Sequence, residues 1–204
     1  MPTRIFLLSP ARLDGARARV LLNPDAAFPL ARALGTRDGA ALSDVFSFLS
    51  GLYFRGKHAY AQMFGRPSAS VAAVHLITTT RGLLPPETRV TRRELEAFAE
   101  IDLSAGDDRF HAPLLRDASR IRAALDDAAE VVLLGSIATG KYVDPLLTVF
   151  GPRLLFPETF VGRGDMSRGG ILLRRTRAED ELTYIPVRGA VRHGRRPPKL
   201  ARAR

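Results

Sequence analysis

The sequence contains no cysteine, which excludes disulfides and thiolate metal sites. Histidine is scarce as well: His58, His75, His111 and His193 are the only four, and their spacing matches no metal-ligand pattern. No metal or other cofactor is expected. No apolar run approaches the ~18 residues that a membrane span needs. Ile5-Phe6-Leu7-Leu8, after a single arginine, is too short for the core of a signal peptide. The expected location is the cytoplasm, with no membrane partner. Lysine is nearly missing, with 3 against 28 arginines. The arginine bias, beside abundant alanine, fits a GC-rich genome and says little about ligands, so Lys57, Lys141 and Lys199 are the basic residues to ask about. Acidic residues are absent from 188–204, which holds seven basic side chains, so the formal net charge of +10 falls to +3 without that stretch. The body is mildly basic and its end strongly so.

What is present is enough for a globule. With 204 residues, 46% of them apolar, the chain can close a substantial core in one domain. No internal repeat is visible. The expected architecture is α/β, a single domain over 1–189 with a mixed central sheet flanked by helices, followed by a basic, disordered tail over 190–204.

Short apolar runs at 4–8, 71–78, 130–134 and 153–156 read as strands, the second one central because it is apolar on both faces. Residues 25–34 predict a short helix stopping at Gly35. From Ser43 to Phe64 the apolar positions recur at helical spacing, with Ser43 as N-cap and Gly65 past the end. This is one long helix or two separated near Gly56, a break that would turn Tyr53, Arg55 and Lys57 toward a cleft. Thr91 and Glu94 form a capping box for a helix over 92–99. Residues 102–109 read as a polar loop, 113–127 as an amphipathic helix with Leu114, Ala118, Ile121 and Leu125 inward, and 142–150 as a further helix. Ile171–Arg174 and Leu182–Val187 predict a closing hairpin.

The densest chemistry lies in Gly162-Arg163-Gly164-Asp165-Met166-Ser167-Arg168-Gly169-Gly170. Four glycines suggest a loop with positive φ or close backbone approach. Arg163 and Arg168, with the Ser167 hydroxyl and backbone N–H groups, can hold a phosphate or carboxylate. Strand ends supply further candidates: Ser9 and Arg12 after the first strand, Arg81 after the second, and Lys141 after the third. Gly135 to Lys141 has the G-x-x-x-x-G-K spacing of a phosphate loop. Tyr142, however, stands where Ser or Thr should hold magnesium, which argues against nucleoside-triphosphate hydrolysis. The helix start there can still receive an anion.

Taken in order, several motifs resemble the YaaA family of bacterial peroxide-stress proteins. Leu8-Ser9-Pro10-Ala11-Arg12 is similar to that family's L-I-S-P-A-K opening, and Leu52-Tyr53 with Gly56 to its V-Y-x-G element. Gly82-Leu83-Leu84 with Pro86 resembles its Y-G-x-L-x-P turn, and the segment before Tyr142 its N-L-A-S-x-E-Y stretch. Most specific is Gly162 to Arg168 beside the family's A-R-G-x-M-S-R. Arg12 replaces the family's lysine, Lys141 its glutamate, and the P-Y-R-L-E segment is missing. The resemblance implies a compact α/β fold with a basic cleft that binds DNA and protects it during peroxide stress; it brings no catalytic activity with it. A fainter likeness, through Gly82-Leu83-Leu84-Pro85, is to nucleobase-processing α/β proteins.

Two function classes therefore stand. In the first the protein binds DNA without sequence specificity, with Arg12, Arg55, Arg81, Lys141, Arg163 and Arg168 on phosphates. In the second it is an enzyme acting on a nucleotide, nucleoside or nucleobase. Asp165 is then the acid or base, Arg163 and Arg168 hold an anionic or carbonyl oxygen, and Tyr53 or Tyr142 stacks or donates a hydrogen bond. A third arrangement confines nucleic-acid binding to the tail.

Overall fold

The structure, a computed structural model, describes residues 2–101, 107–192, 194–195 and 197–198. Most of the loop expected over 102–109 and the end of the tail, with His193 and Lys199, lie outside those residues. Among the described residues, β1 (Arg4–Leu8), β3 (Val74–Ile77), β6 (Glu130–Leu134) and β7 (Leu154–Pro157) run parallel. Two short antiparallel strands, β4 (Leu83–Leu84) and β8 (Tyr184–Pro186), close the edges, giving the order β4-β3-β1-β6-β7-β8. A two-stranded ribbon, β2 (Ala40–Ala41) with β5 (Arg89–Val90), stands apart. This is the expected mixed α/β sheet.

Strands covered on both faces read as unbroken apolar runs, and Ile5 to Leu8 and Val131 to Leu134 are wholly buried. Leu8 lies opposite both Leu76 and Leu134, so β1, β3 and β6 end level with one another. The helices are α1 (Ala16–Leu22), α2 (Pro29–Leu34), α3 (Leu42–Ser50), α4 (Leu52–Phe64), α5 (Arg92–Ala99), α6 (Asp108–Ala124), α7 (Gly140–Phe150) and α8 (Asp165–Arg177). α4 packs on α8 and against β1 and β3, while α6 packs on α7. No helix among the described residues is long and apolar enough to cross a membrane.

Several local expectations change. The segment expected to be a Gly-rich loop is the start of α8 from Asp165 onward, and Ile171 to Arg174 are helical, not half of a hairpin. Three apolar residues in a row cannot distinguish the two periods; burial of Arg168, Gly169, Ile171 and Leu172 is the helical pattern. The glycine there serves contact between helices. A Cβ on Gly169 would lie 2.8 Å from Tyr53 Cα, and one on Gly56 would lie 2.8 Å from the Gly169 carbonyl oxygen. The 43–64 helix does divide, but at Gly51, whose φ of 57° and ψ of −123° suit glycine alone. Ala41, not Ser43, precedes the first half. The helix after the 102–109 loop starts at Asp108, with Asp107 accepting from the Arg109 N–H and Pro113 inside. α1 was not foreseen. The Thr91–Glu94 capping box forms as expected.

Candidate functional site

In a doubly wound sheet, ligand sites open where neighbouring strands send their connections to opposite sides. Here that point lies between β1, which continues to β3, and β6, which continues to β7. A cleft of about 930 Å³ opens there. Its floor is Ser9, from the end of β1, and Ser136, from the loop after β6; its sides come from α3, α4, α5, α7 and α8 through Leu49, Tyr53, Phe98, Lys141, Tyr142 and Asp165. Arg12 stands at the rim, exposed and paired with Asp14 at 2.7 Å.

The floor is held by an unusual interaction. Lys57 is only 1% exposed, and its ammonium nitrogen lies 2.7 Å from the Ser9 carbonyl oxygen and 2.9 Å from Ser9 Oγ. The Tyr53 and Phe54 rings lie 4.6 and 5.3 Å away. Burial drives Lys57 down to about 7; Asp165 opposes this shift and Arg168 adds to it. Beside them the buried Tyr53 hydroxyl makes no hydrogen bond of full geometry among the described residues; burial pushes its pKa up, and the neighbouring Arg168 works against that shift. Tyr142 donates to the Ser136 carbonyl at 3.0 Å, and burial raises its pKa, offset in part by a hydrogen bond with Ser9. Gly135 makes room for this cluster: a Cβ there would meet Ser9 Cβ at 2.8 Å and the Tyr142 hydroxyl at 3.0 Å.

A smaller cavity, about 350 Å³, adjoins the first and shares Ser136 and Asp165 with it. Gly162, Arg163, Gly164, Arg168 and Arg192 line it as well, with Ala138 and Gly194. Arg168 is buried and donates to the Phe160 carbonyl at 3.2 and 3.3 Å, with Asp165 at 3.8 Å. Arg163 donates to the carbonyls of Thr159 and Pro198, at 3.0 and 3.3 Å, and lies 3.4 Å from the Ser167 hydroxyl. Arg192 pairs with Asp144 at 2.6 Å.

The structure thus brings Ser9, Arg12, Tyr53, Lys141, Tyr142 and Asp165 to one cleft, and Arg163 and Arg168 to its neighbour. Three candidates stand elsewhere, Ser167 among them, which lines neither cavity. Arg55 is exposed on α4 and lines neither cavity, and Arg81 is paired with Glu94 at 2.7 Å. Lys57 was marked by its rarity and by a possible turn toward a cleft, but its attachment to Ser9 has no local signal. Phe98 and Ile101, which line the cleft, read as ordinary core positions. Among the described residues no group of three His, Asp or Glu could hold a metal ion. No protein-family model, curated protein or solved structure matches the chain, so the cleft itself carries the functional argument.

Proposed function

We propose that the protein is an enzyme acting on a nucleotide, nucleoside or nucleobase in the cleft between the ends of β1 and β6. One observation carries this reading. The cleft has the volume of a small-molecule site, and its polar groups Ser9, Ser136, Lys141, Tyr142 and Asp165 converge beside a buried lysine that holds Ser9. Phe98 and Ile101 offer an apolar wall to a base. Lys141, at the start of α7, where no side chain caps the helix, offers a charge to a phosphate or other anion. Asp165, exposed and shared by both cavities, is the acid or base within reach of solvent. The test is thermal unfolding of the full chain against a panel of nucleotides, nucleosides and bases. At least one class should raise the midpoint saturably, and Lys141→Ala should weaken a phosphorylated ligand roughly tenfold more than its unphosphorylated form. No shift from any class at millimolar concentration would sink the reading.

A second reading, DNA binding of the peroxide-stress type, is favoured by the basic groups Arg12, Lys141, Arg163 and Arg192 around the two cavities. It predicts steeply salt-dependent duplex binding that Arg163→Ala weakens. Equal affinity and salt slope for wild type and variant would remove it.

A further inference from the structure

The proposed enzyme reading names Asp165 as an acid or base on the solvent side but no nucleophile, and the inference here rests on that reading and supplies one with its own base. Ser9 forms part of the floor of the cleft, and Lys57, which does not line it, brings its Nζ to 2.9 Å from Ser9 Oγ. Among the described residues Lys57 forms no ion pair; its polar partners are the two oxygens of Ser9. A lysine serving only as a surface-directed charge would have its end in water, and one serving as a buried structural cation would be met by a carboxylate. This one has neither. Its carbonyl partner takes one N–H and thereby aims the remaining positions of the nitrogen at the hydroxyl. An uncharged amine held in that way can accept the Ser9 proton, the arrangement required of a nucleophile and its base. Burial and Arg168, from α8, favour the uncharged amine, while Asp165, also from α8, and the ring faces of Tyr53 and Phe54, from α4, favour the ammonium; burial is the largest of these. On the other side, Gly135 lets Tyr142 and Ser9 come together without a side chain between them.

We propose that Ser9 is a nucleophile, that Lys57 is the general base that activates it, and that the reaction is acyl transfer on an ester or amide carried by the ligand. As the Oγ–carbon bond forms at the substrate carbonyl, Lys57 takes the hydroxyl proton. As the carbon–oxygen or carbon–nitrogen bond to the leaving group breaks, Lys57 returns that proton to the departing alcohol or amine. Water then gives a proton to Lys57, adds to the acyl carbon and releases a carboxylic acid, while Ser9 recovers its hydrogen from Lys57. No oxidant, metal or further reactant enters the balance.

The probe is a fluorophosphonate, which forms a covalent adduct with activated serine hydroxyls, applied to the full chain from about pH 5.5 to 9, with the labelled peptide located by mass spectrometry. One adduct at Ser9 is expected, with a rate that rises with pH around a midpoint near 7. Ser9→Ala should abolish it. Lys57→Met and Lys57→Arg should both slow it roughly 100-fold; arginine keeps N–H donors but stays charged and cannot serve as a base, so it separates proton transfer from positioning. Should the Lys57 variants fail to fold, the wild-type profile decides alone. Absence of a Ser9 adduct, or a rate flat between about pH 6 and 8, overturns the proposal. Ligand binding on the same preparations keeps the two readings apart: labelled Ser9 without nucleotide binding removes the ligand class and retains the pair, whereas nucleotide binding without labelling removes the pair.

Discussion

Lys57 enters the interior with no ion pair among the described residues, and that has a thermodynamic signature separate from any reaction. Its folded-state pKa, near 7, lies below the ordinary 10.5, chiefly through burial. The unfolded chain therefore binds more protons between those values, and stability rises with pH there, at a limiting slope of about 1.4 kcal/mol per pH unit. Below pH 7 both states hold the proton and the penalty is constant. The window has an upper limit because Tyr53, Tyr60, Tyr142 and Tyr184 are all shifted upward by burial. Their contribution is intact below about pH 10 and lost above it. Denaturant midpoints of the wild type should climb from about pH 7 to 9, and those of Lys57→Met should stay level; parallel curves would mean that Lys57 is charged in the fold. At this scale the sequence was informative about kind and silent about depth. Ser9, Lys141 and Tyr142 could be selected because they follow strands, and Tyr53 because a break near Gly56 would turn it toward a cleft. That Lys57 reaches Ser9 is a contact across 48 residues, and no local pattern encodes it.

At the scale of elements, the site depends on how closely α4 and α8 approach. Tyr53 and Lys57 come from α4, Asp165 and Arg168 from α8, and Gly56 and Gly169 are the points at which the two backbones meet. Gly169→Ala would push a methyl group onto Tyr53 Cα and its neighbouring peptide, so the helices must separate. A cost of about 1–3 kcal/mol is expected, with loss of ligand binding, since Tyr53 moves with the backbone. Gly164→Ala serves as the control. Its Cβ would meet nothing within 4 Å, and only the N-cap preference is lost, which should amount to less than about 1 kcal/mol. Equal unfolding midpoints for the two variants would show that the close approach is not needed. The glycines explain why this part of the chain was misread. Glycine permits loops and also permits helix contact, and composition does not separate the two. Where one cause dominates, as with the Thr91–Glu94 box or the buried run 130–134, the element was legible in place and type.

For the molecule as a whole, the question is which part carries its charge. Most of the candidate phosphate contacts on the body are already occupied: Arg12 by Asp14, Arg81 by Glu94, Arg168 by the Phe160 carbonyl and Arg163 by the Thr159 carbonyl. The body without 188–204 carries a formal charge of only +3. Beyond Gly189 lie six basic side chains, Arg192, Arg195, Arg196, Lys199, Arg202 and Arg204, and no acidic ones. If the cleft serves a small ligand, duplex-DNA affinity should belong to that end of the chain and not to the cleft. Replacing the six by glutamine in the full chain removes up to six phosphate contacts, which would lower the salt slope of binding by as much as about 5. The same variant should keep its response to ligands in the cleft and its Ser9 reactivity, because of the two described residues among the six, Arg192 and Arg195, only Arg192 lines a cavity, and that the smaller one. The opposite result, DNA affinity surviving in the glutamine variant and falling with Arg163→Ala, would move the function of the cleft from enzyme to nucleic-acid site. Ser9 and Lys57 would then be the support beneath a phosphate groove, and their lack of reactivity toward the fluorophosphonate would be the confirming observation.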